Sequence, residues 1–187
     1  SSKKDIKHED TTAVVKIEAA PETVEQYGFV MEFKYPIVES AFDSLKFISI
    51  NPKQEESAAG YTVTQDTVNL RKYIVRPKDK MQVGYEYKLK LPHRKFRDIN
   101  GFYNDSTEVK VSLPKDDKLS TMNLVLTNVN NKYIVDLLNE KRSSVLRSYV
   151  IENDQTLIFP YLKKGKYSIR ITEDLNKNGI VDTGNLL

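Results

Sequence analysis

The sequence contains no cysteine, no tryptophan and only two histidines, His8 and His93. Without cysteine the chain has no disulfide, no thiolate metal ligand and no cysteine nucleophile, and this absence does not indicate a redox compartment. Two histidines are too few for a histidine metal cluster. No apolar run approaches the ~18 residues that a membrane-spanning helix needs, so the sequence predicts no membrane span.

An excess of charge of one sign is also missing. The 29 Lys and Arg residues nearly balance the 26 Asp and Glu residues, which leaves a formal net charge of +3. Such a slight basic excess gives no reason to expect nucleic acid as a partner. The 187 residues suffice for one large domain or for two of roughly 100 and 70 residues, and we expect two small domains.

The sequence does contain a series of short runs with the period of two that a half-buried strand requires. In YGFVMEFKYP, bulky side chains occupy every second position: Phe29, Met31, Phe33 and Tyr35. Similar runs recur along the chain, bounded by Pro, Gly, Asn or Asp, and only IVESAFDSL favours a helical turn. The pattern predicts an all-β protein of antiparallel sheets, built as two β-sandwiches in tandem.

Composition also predicts the domain limits. Residues 1–12 are charged and non-periodic, which favours a solvated tail. We expect a first β-sandwich over residues 13–114 and a linker over residues 115–120, where PKDDKLS combines a proline with a charge cluster. Residues 121–187 are then a second, smaller β-sandwich.

Three segments of the first region carry a resemblance: FVMEFKYPI, YIVRPKDKMQVGYEYKLKL and RDINGFYN. In the second of these, Pro77, Met81, Gly84 and Tyr87 match the recurring positions. The region resembles the bacterial Ig-like domains of secreted or surface-anchored proteins, first described in S-layer proteins. This resemblance implies an Ig-like sandwich.

The second region resembles the prealbumin-like modules of carboxypeptidase regulatory domains and collagen-adhesin B-type repeats, through LIFPYLKKGKYSIRITEDLNKNGIVDTG. In this segment Gly165 is expected to permit a tight turn, and Tyr167, Ile169 and Ile171 are expected to bury one face of the following strand.

Together the two regions look like a Bacteroidota family of Ig-like lipoproteins of unknown function. The resemblance implies an extracytoplasmic protein of the periplasm, outer membrane or cell surface, with a protein or glycan partner and no catalytic activity. A lipid anchor in the full-length protein rests on the family alone, because the chain has no lipobox cysteine.

The segment EDLNKNGIVDTG alternates oxygen-bearing side chains up to a glycine, like a calcium loop. The ligands in register are Asp174, Asn176, Asn178, the Ile180 carbonyl and Asp182. The last position is Asn185 instead of a bidentate Glu, so any Ca²⁺ site is expected to be weak. The alternative is a structural turn in which these side chains accept hydrogen bonds from loop amides.

A second chemical candidate is LPHRKFRDINGFY, which mixes cations with aromatic rings. Such a mixture could hold an acidic glycan or a nucleic acid strand, and a loop between strands often has such a solvated face without any ligand. His93 could be oriented as a base by Asp98 or Asp105, but no nucleophile motif or glycine-rich oxyanion loop accompanies it.

The sequence therefore favours a non-enzymatic pair of modules that acts as spacer, scaffold or docking surface of a cell-envelope protein. The alternative is a polysaccharide-binding module of a surface glycan-capture system. Because tryptophan is absent, tyrosines would have to stack on the sugars. The candidates are Tyr27, Tyr35, Tyr61, Tyr85 and Tyr103.

Overall fold

The computed structural model describes residues 10–115 and 117–175, and the chain divides into two compact units. Unit 1 ends at Lys115 and unit 2 begins at Asp116, within the segment predicted as linker. The first strand of unit 2 already begins at Leu119, so the last two residues of that segment are in a strand.

Unit 1 is formed almost entirely of strands, with one helical turn and one short 3-10 helix. Its strands are β1 (Val15–Glu18), β2 (Phe29–Phe33), β3 (Ile37–Ser40), β4 (Lys46–Ile50), β5 (Glu56–Ala58), β6 (Tyr61–Gln65), β7 (Lys72–Pro77), β8 (Glu86–Leu91), β9 (Phe96–Asp98) and β10 (Thr107–Ser112). The helical turn is α1 (Val24–Tyr27), and the 3-10 helix is Phe42–Ser44. Neither of these described helices is long and apolar enough to span a bilayer.

Two four-stranded sheets form the body of unit 1, in the orders β1-β2-β7-β6 and β10-β8-β4-β5. Strands β3 and β9 form a separate two-stranded sheet. Every strand pairing within the described ranges of the chain is antiparallel. The prediction of an all-β fold with antiparallel sheets is therefore confirmed.

The alternation of apolar residues explains how these two sheets share a core. In β2 and β8 every second side chain is buried, as strands with one buried face require. The rings of Phe29 in β2 and Phe47 in β4 meet edge to face with centroids 5.4 Å apart, which joins the two sheets. Further ring contacts link Phe33 to Phe96 and Phe96 to Phe42, so β9 is attached to the same core.

The helical turn α1 lies in PETVEQYG, outside the segment for which the sequence predicts helix. IVESAFDSL, the predicted segment, forms β3 and then one helical turn, as expected, in the form of the 3-10 helix. Helix α1 ends at Gly28, whose φ of 69° is one that glycine adopts without strain. A Cβ placed at Gly28 would lie 2.8 Å from the Val75 carbonyl oxygen, so the close approach of the two backbones requires glycine.

Unit 2 consists of two smaller antiparallel sheets. Its strands are β11 (Leu119–Leu126), β12 (Tyr133–Asn139), β13 (Val145–Ile151), β14 (Gln155–Lys163) and β15 (Tyr167–Glu173). The sheet orders are β11-β14 and β13-β12-β15. The rings of Tyr149 in β13 and Phe159 in β14 join the two sheets with centroids 5.2 Å apart.

The middle strand β12 is buried on both of its faces, from Ile134 to Leu138. Asp136 lies within this run and is ion-paired with Arg170 of β15, with distances of 2.8 and 3.1 Å to one carboxylate oxygen. The carboxylate is buried, and its charge is compensated by the guanidinium of the neighbouring strand.

The expectation that Tyr167, Ile169 and Ile171 bury one face of β15 is wrong. Ile171 is exposed instead of buried with Tyr167 and Ile169, which are themselves only half-buried. Strand β15 is an outer strand of its sheet, so it does not have the neighbours on both sides that cover β12. Gly165 has no positive φ, and an added Cβ would meet nothing within 4 Å, so the turn does not depend on glycine.

Candidate functional site

The predicted calcium loop lies largely outside the described residues, which end at 175. Asn176, Asn178, Ile180 and Asp182 are therefore not placed, and the metal site stays a prediction. Asp174, at the end of β15, is only 1% exposed, and its backbone N–H donates to the Lys132 carbonyl at 2.8 Å. The neighbouring Glu173 accepts a hydrogen bond from the side-chain amide of Asn131. Within residues 10–115 and 117–175, no three acidic or histidine side chains are grouped to hold a metal ion.

The basic and aromatic segment of unit 1 forms a defined arrangement, which we call the Tyr103 cluster: Glu39, Arg94, Arg97 and Tyr103. The guanidinium carbon of Arg94 lies 4.3 Å from the centre of the Tyr103 ring, and that of Arg97 lies 5.8 Å from it. One carboxylate oxygen of Glu39 in β3 accepts a hydrogen bond from Nη1 of Arg97 at 3.4 Å. The other accepts a hydrogen bond from the Tyr103 hydroxyl at 3.3 Å. The cluster thus combines two cations, one aromatic ring and one carboxylate.

Strand pairing brings these side chains together. Strands β3 and β9 pair so that Glu39 lies opposite Arg97. Arg97 also forms a backbone bridge with Tyr103, after the chain reverses between them. Side chains directly opposite each other on neighbouring strands are close enough to interact, which accounts for the contacts of Arg97.

Asn104 stabilises the backbone around the Tyr103 cluster. The residue is completely buried, and its side-chain oxygen accepts hydrogen bonds from the backbone N–H groups of Lys95 and Phe96, at 2.9 and 2.8 Å. Its side-chain amide donates to the carbonyls of Pro92 and Asp105 at 2.8 and 2.9 Å. All its hydrogen-bonding groups are therefore used to hold the two chain segments on either side of β9.

Asp98 fixes the turn that follows β9. One of its carboxylate oxygens accepts hydrogen bonds from the backbone N–H groups of Asn100 and Phe102, at 2.9 and 3.1 Å. The turn contains Gly101 with a φ of 86°. Asp98 is 1% exposed, and its second carboxylate oxygen has no hydrogen-bond partner within the described residues. Asp98 and Gly101 of the segment RDINGFYN thus have turn-forming roles.

Arg94 has an uncommon backbone conformation. Its φ of 57° falls in the left-handed region, and its N–H donates to the Asn104 carbonyl at 3.0 Å. A non-glycine residue in this region costs roughly 1 kcal/mol or more and persists only where the surroundings fix it. The hydrogen bonds of Asn104 provide that support, so the Arg94 side chain is held over Tyr103.

His93 lies beside this cluster, with Nδ1 3.7 Å from a carboxylate oxygen of Asp105. Of the two residues predicted to orient His93, Asp105 is therefore the one that lies beside it. The Asp98 carboxylate instead accepts hydrogen bonds from the turn that follows β9. The side chains of His93 and Asp105 are 61% and 71% exposed. At such exposure water competes with their contact, and the pair lacks the shielded setting that tunes a general base.

The five tyrosines considered for sugar stacking are all half-buried. Tyr61 donates a hydrogen bond to the Phe42 carbonyl at 2.6 Å, and burial raises the pKa of its hydroxyl. Tyr85 stacks on Tyr87 with ring centroids 6.3 Å apart. Tyr103 carries Arg94 over its ring. These three rings thus already have neighbours within unit 1.

The sequence predicts the cations and rings of the cluster, but it does not predict the roles of Glu39 and Asn104. Glu39 lies 58 residues before Arg97, and no local pattern signals their contact. The signal for Asn104 is its position in GFYND directly before the next acidic residue, where an Asn side chain often bonds to nearby backbone groups.

Compared with protein-family models, with curated proteins and with solved structures, the chain has no significant match.

Proposed function

We propose that the chain is a non-enzymatic pair of β-sandwich modules of an extracytoplasmic cell-envelope protein, acting there as spacer, scaffold or docking surface. The observation that carries the proposal is the use of the buried polar side chains in unit 1. The Asp98 carboxylate accepts hydrogen bonds from backbone N–H groups. The Asn104 side chain accepts from one backbone N–H group and donates to a backbone carbonyl, among its other bonds, and the two residues so fix two turns. This chemistry makes a rigid exposed surface, whereas catalysis requires polar groups directed at a shielded substrate.

The surface so fixed has the composition of a docking site. Arginine and tyrosine are the side chains most often found at the energetic centre of protein interfaces, and Arg94, Arg97 and Tyr103 are adjacent here. Apolar side chains of the same strands and turn are also exposed: Val38, Ile99 and Phe102. A protein partner with acidic and apolar groups suits this mixture.

The extracytoplasmic setting rests on the resemblance of the two regions to Ig-like and prealbumin-like modules of surface proteins. A lipid anchor in the full-length protein is part of the same proposal. The direct experiment is fractionation of the cells that make the protein, followed by protease treatment of intact cells and spheroplasts. Recovery of the protein in the envelope fraction is expected. Recovery in the cytosol, protected from protease until the inner membrane is broken, would overturn the setting.

The absence of catalysis is tested separately with purified protein and a panel of esterase, peptidase and glycosidase substrates. We expect no turnover. Turnover that disappears in His93→Ala, while circular dichroism shows an unchanged fold, would contradict the non-enzymatic proposal. Lys95→Ala serves as the matched control, since it removes an exposed cation of the same segment.

The second candidate is a module that binds an acidic polysaccharide. The specific observation in its favour is the exposed guanidinium of Arg94 over the Tyr103 ring, since a cation beside an aromatic ring suits a sugar carboxylate or sulfate. A glycan array with acidic and neutral polysaccharides distinguishes this candidate. Binding lost in Arg94→Ala and Tyr103→Ala but kept in Tyr85→Ala would support it, and no binding by the unmodified protein would exclude it.

A further inference from the structure

Strand β13 is an outer strand of the sheet β13-β12-β15, and within the described residues only β12 pairs with it. The outer edge of such a strand presents alternating backbone N–H and C=O groups that another strand can bind. Proteins commonly protect long edges with lysine or proline, and the seven residues of β13 contain neither. Arg147 is the strand's one charged residue, and it is half-buried.

Apolar side chains of β13 are also exposed. Val145, Leu146 and Val150 are 48%, 47% and 42% exposed. The pairing of β12 with β13 shifts by one residue between Leu137 and Leu138, which makes Leu146 the extra residue of a bulge. From Arg147 to Ile151 the register is regular, so that this part is a suitable template for a further strand.

The charges that flank β13 are opposite at its two ends. Lys141 and Arg142 precede the strand, and although Glu140 comes before them, that turn keeps a net charge of +1. Glu152 and Asp154 follow the strand, and because Lys132 lies 3.9 Å from Glu152, that end keeps a net charge of −1. Antiparallel pairing of two copies of β13 brings the basic end of each copy to the acidic end of the other, whereas parallel pairing would bring like charges together.

We propose that two copies of this chain pair through β13, antiparallel about a two-fold axis at Ser148. In this register Ser148 lies opposite Ser148 of the second copy and Arg147 lies opposite Tyr149, while Val150 comes beside the bulge at Leu146. The turn before β13, with Lys141 and Arg142, is thereby brought near the end of the second copy that carries Glu152 and Asp154. The same surface on both copies forms the contact, as two-fold symmetry requires. The paired sheet would continue from three strands to six.

Disulfide trapping tests the register directly, because the chain contains no cysteine of its own. Residues opposite each other in an antiparallel pair have Cα atoms about 4.5–5.5 Å apart, within the range that a disulfide bridges. Ser148→Cys is therefore expected to form disulfide-linked dimers under mild oxidation, at least ~10-fold faster than the controls.

Two control variants separate specific pairing from collision. In Val150→Cys the two cysteines would be about 13 Å apart along the strands, too far for a disulfide. In Ser120→Cys the cysteine is exposed on β11, a different outer strand. Equal cross-linking of all three variants, or faster cross-linking of either control, would overturn the proposal.

Sedimentation velocity over ~1 to ~500 µM tests whether the unmodified chain associates, since a contact of one strand is expected to be weak. Val150→Lys should raise the dimer dissociation constant at least ~10-fold, and Val125→Lys on β11 should not change it. Lys141→Glu should weaken the dimer, because it changes the net charge of that turn from +1 to −1 and so places like charges at both ends of the contact. A chain that stays monomeric throughout, or a Lys141→Glu variant that associates as the unmodified chain does, would refute self-pairing and leave this edge to a strand of a different protein.

Discussion

The two units of the chain stabilise their sheets in different ways. The core of unit 1 contains two groups of aromatic rings in contact, one of Phe29 and Phe47 and one of Phe33, Phe96 and Phe42. Unit 2 has a mainly aliphatic core around β12 and includes a buried carboxylate, Asp136, paired with Arg170. The stability of unit 1 therefore depends mainly on the volume of its buried rings, whereas the stability of unit 2 also depends on the ion pair that compensates one buried charge.

The two units also differ in the surfaces that they expose. In unit 1 the buried ring of Phe96 is directly followed in sequence by Arg97, so the core itself fixes the Tyr103 cluster. In unit 2 the exposed apolar side chains lie mostly on or near outer strands. We therefore expect unit 1 to bind through a rigid preformed cluster and unit 2 to bind through a strand edge.

The largest effect is expected for Phe96→Ala. The ring is completely buried and contacts Phe33 and Phe42, so its removal leaves a cavity that the surrounding strands cannot fill. The free energy of unfolding of unit 1 should fall by about 3 to 5 kcal/mol. Chemical denaturation monitored by tyrosine fluorescence measures this change. A loss below about 1 kcal/mol would show that β9 does not belong to the core.

Asn104→Ala is expected to be next in size. Truncation removes four hydrogen bonds and leaves the buried N–H groups of Lys95 and Phe96 without their acceptor. A loss of about 2 to 4 kcal/mol is expected in the same denaturation experiment. Asn100→Ala is the control from the same loop, because that side chain is exposed, and it should change stability little.

Arg170→Ala should destabilise unit 2 by about 2 to 3 kcal/mol, because it leaves the buried carboxylate of Asp136 without its cation. The double variant Asp136→Leu with Arg170→Met removes both charges and should recover most of the loss. Urea denaturation of all three proteins gives the comparison. If the single and double variants were equally unstable, packing and not charge compensation would be the reason for the pair.

The smallest of the four effects is expected at Asp66, and this effect depends on pH. Hydrogen bonds from the backbone N–H groups of Asn69 and Val68, both 2.8 Å, lower the pKa of its carboxyl below the usual 3.8. A lowered folded pKa contributes stability above the usual pKa, and this contribution is lost as the pH falls through the folded value. Asp66→Asn should therefore be less stable than the unmodified protein at neutral pH, by less than Arg170→Ala, and the difference should close below the usual pKa. A gap that is constant with pH would contradict this cause.

Much of the fold follows from the sequence because alternation of apolar residues reflects burial directly. Strands such as β2 and β8 bury every second residue and are predictable for that reason. Strands β3, β5 and β9 are only three or four residues long. Such strands carry too few positions for a period to be recognised, and β3 and β9, which pair with each other, lie far apart in sequence.

The candidate site is predictable to a lesser degree. The basic and aromatic composition of LPHRKFRDINGFY indicates a surface of cations and rings, as the structure has it. The contact of Glu39 with Arg97 depends on the pairing of β3 with β9 and has no local signal. The calcium loop, of which only Asp174 is described, remains a prediction with a plain turn as its alternative.

We expect each unit to have its own core, and hydrogen exchange followed by mass spectrometry tests this claim most directly. Amide protection is compared between the unmodified protein and Phe96→Ala, peptide by peptide. We expect protection to fall in the strands of residues 13–115 and to stay unchanged in β12 and β14 of unit 2. An equal loss of protection in both units would contradict the claim, because the chain would then unfold as one cooperative body.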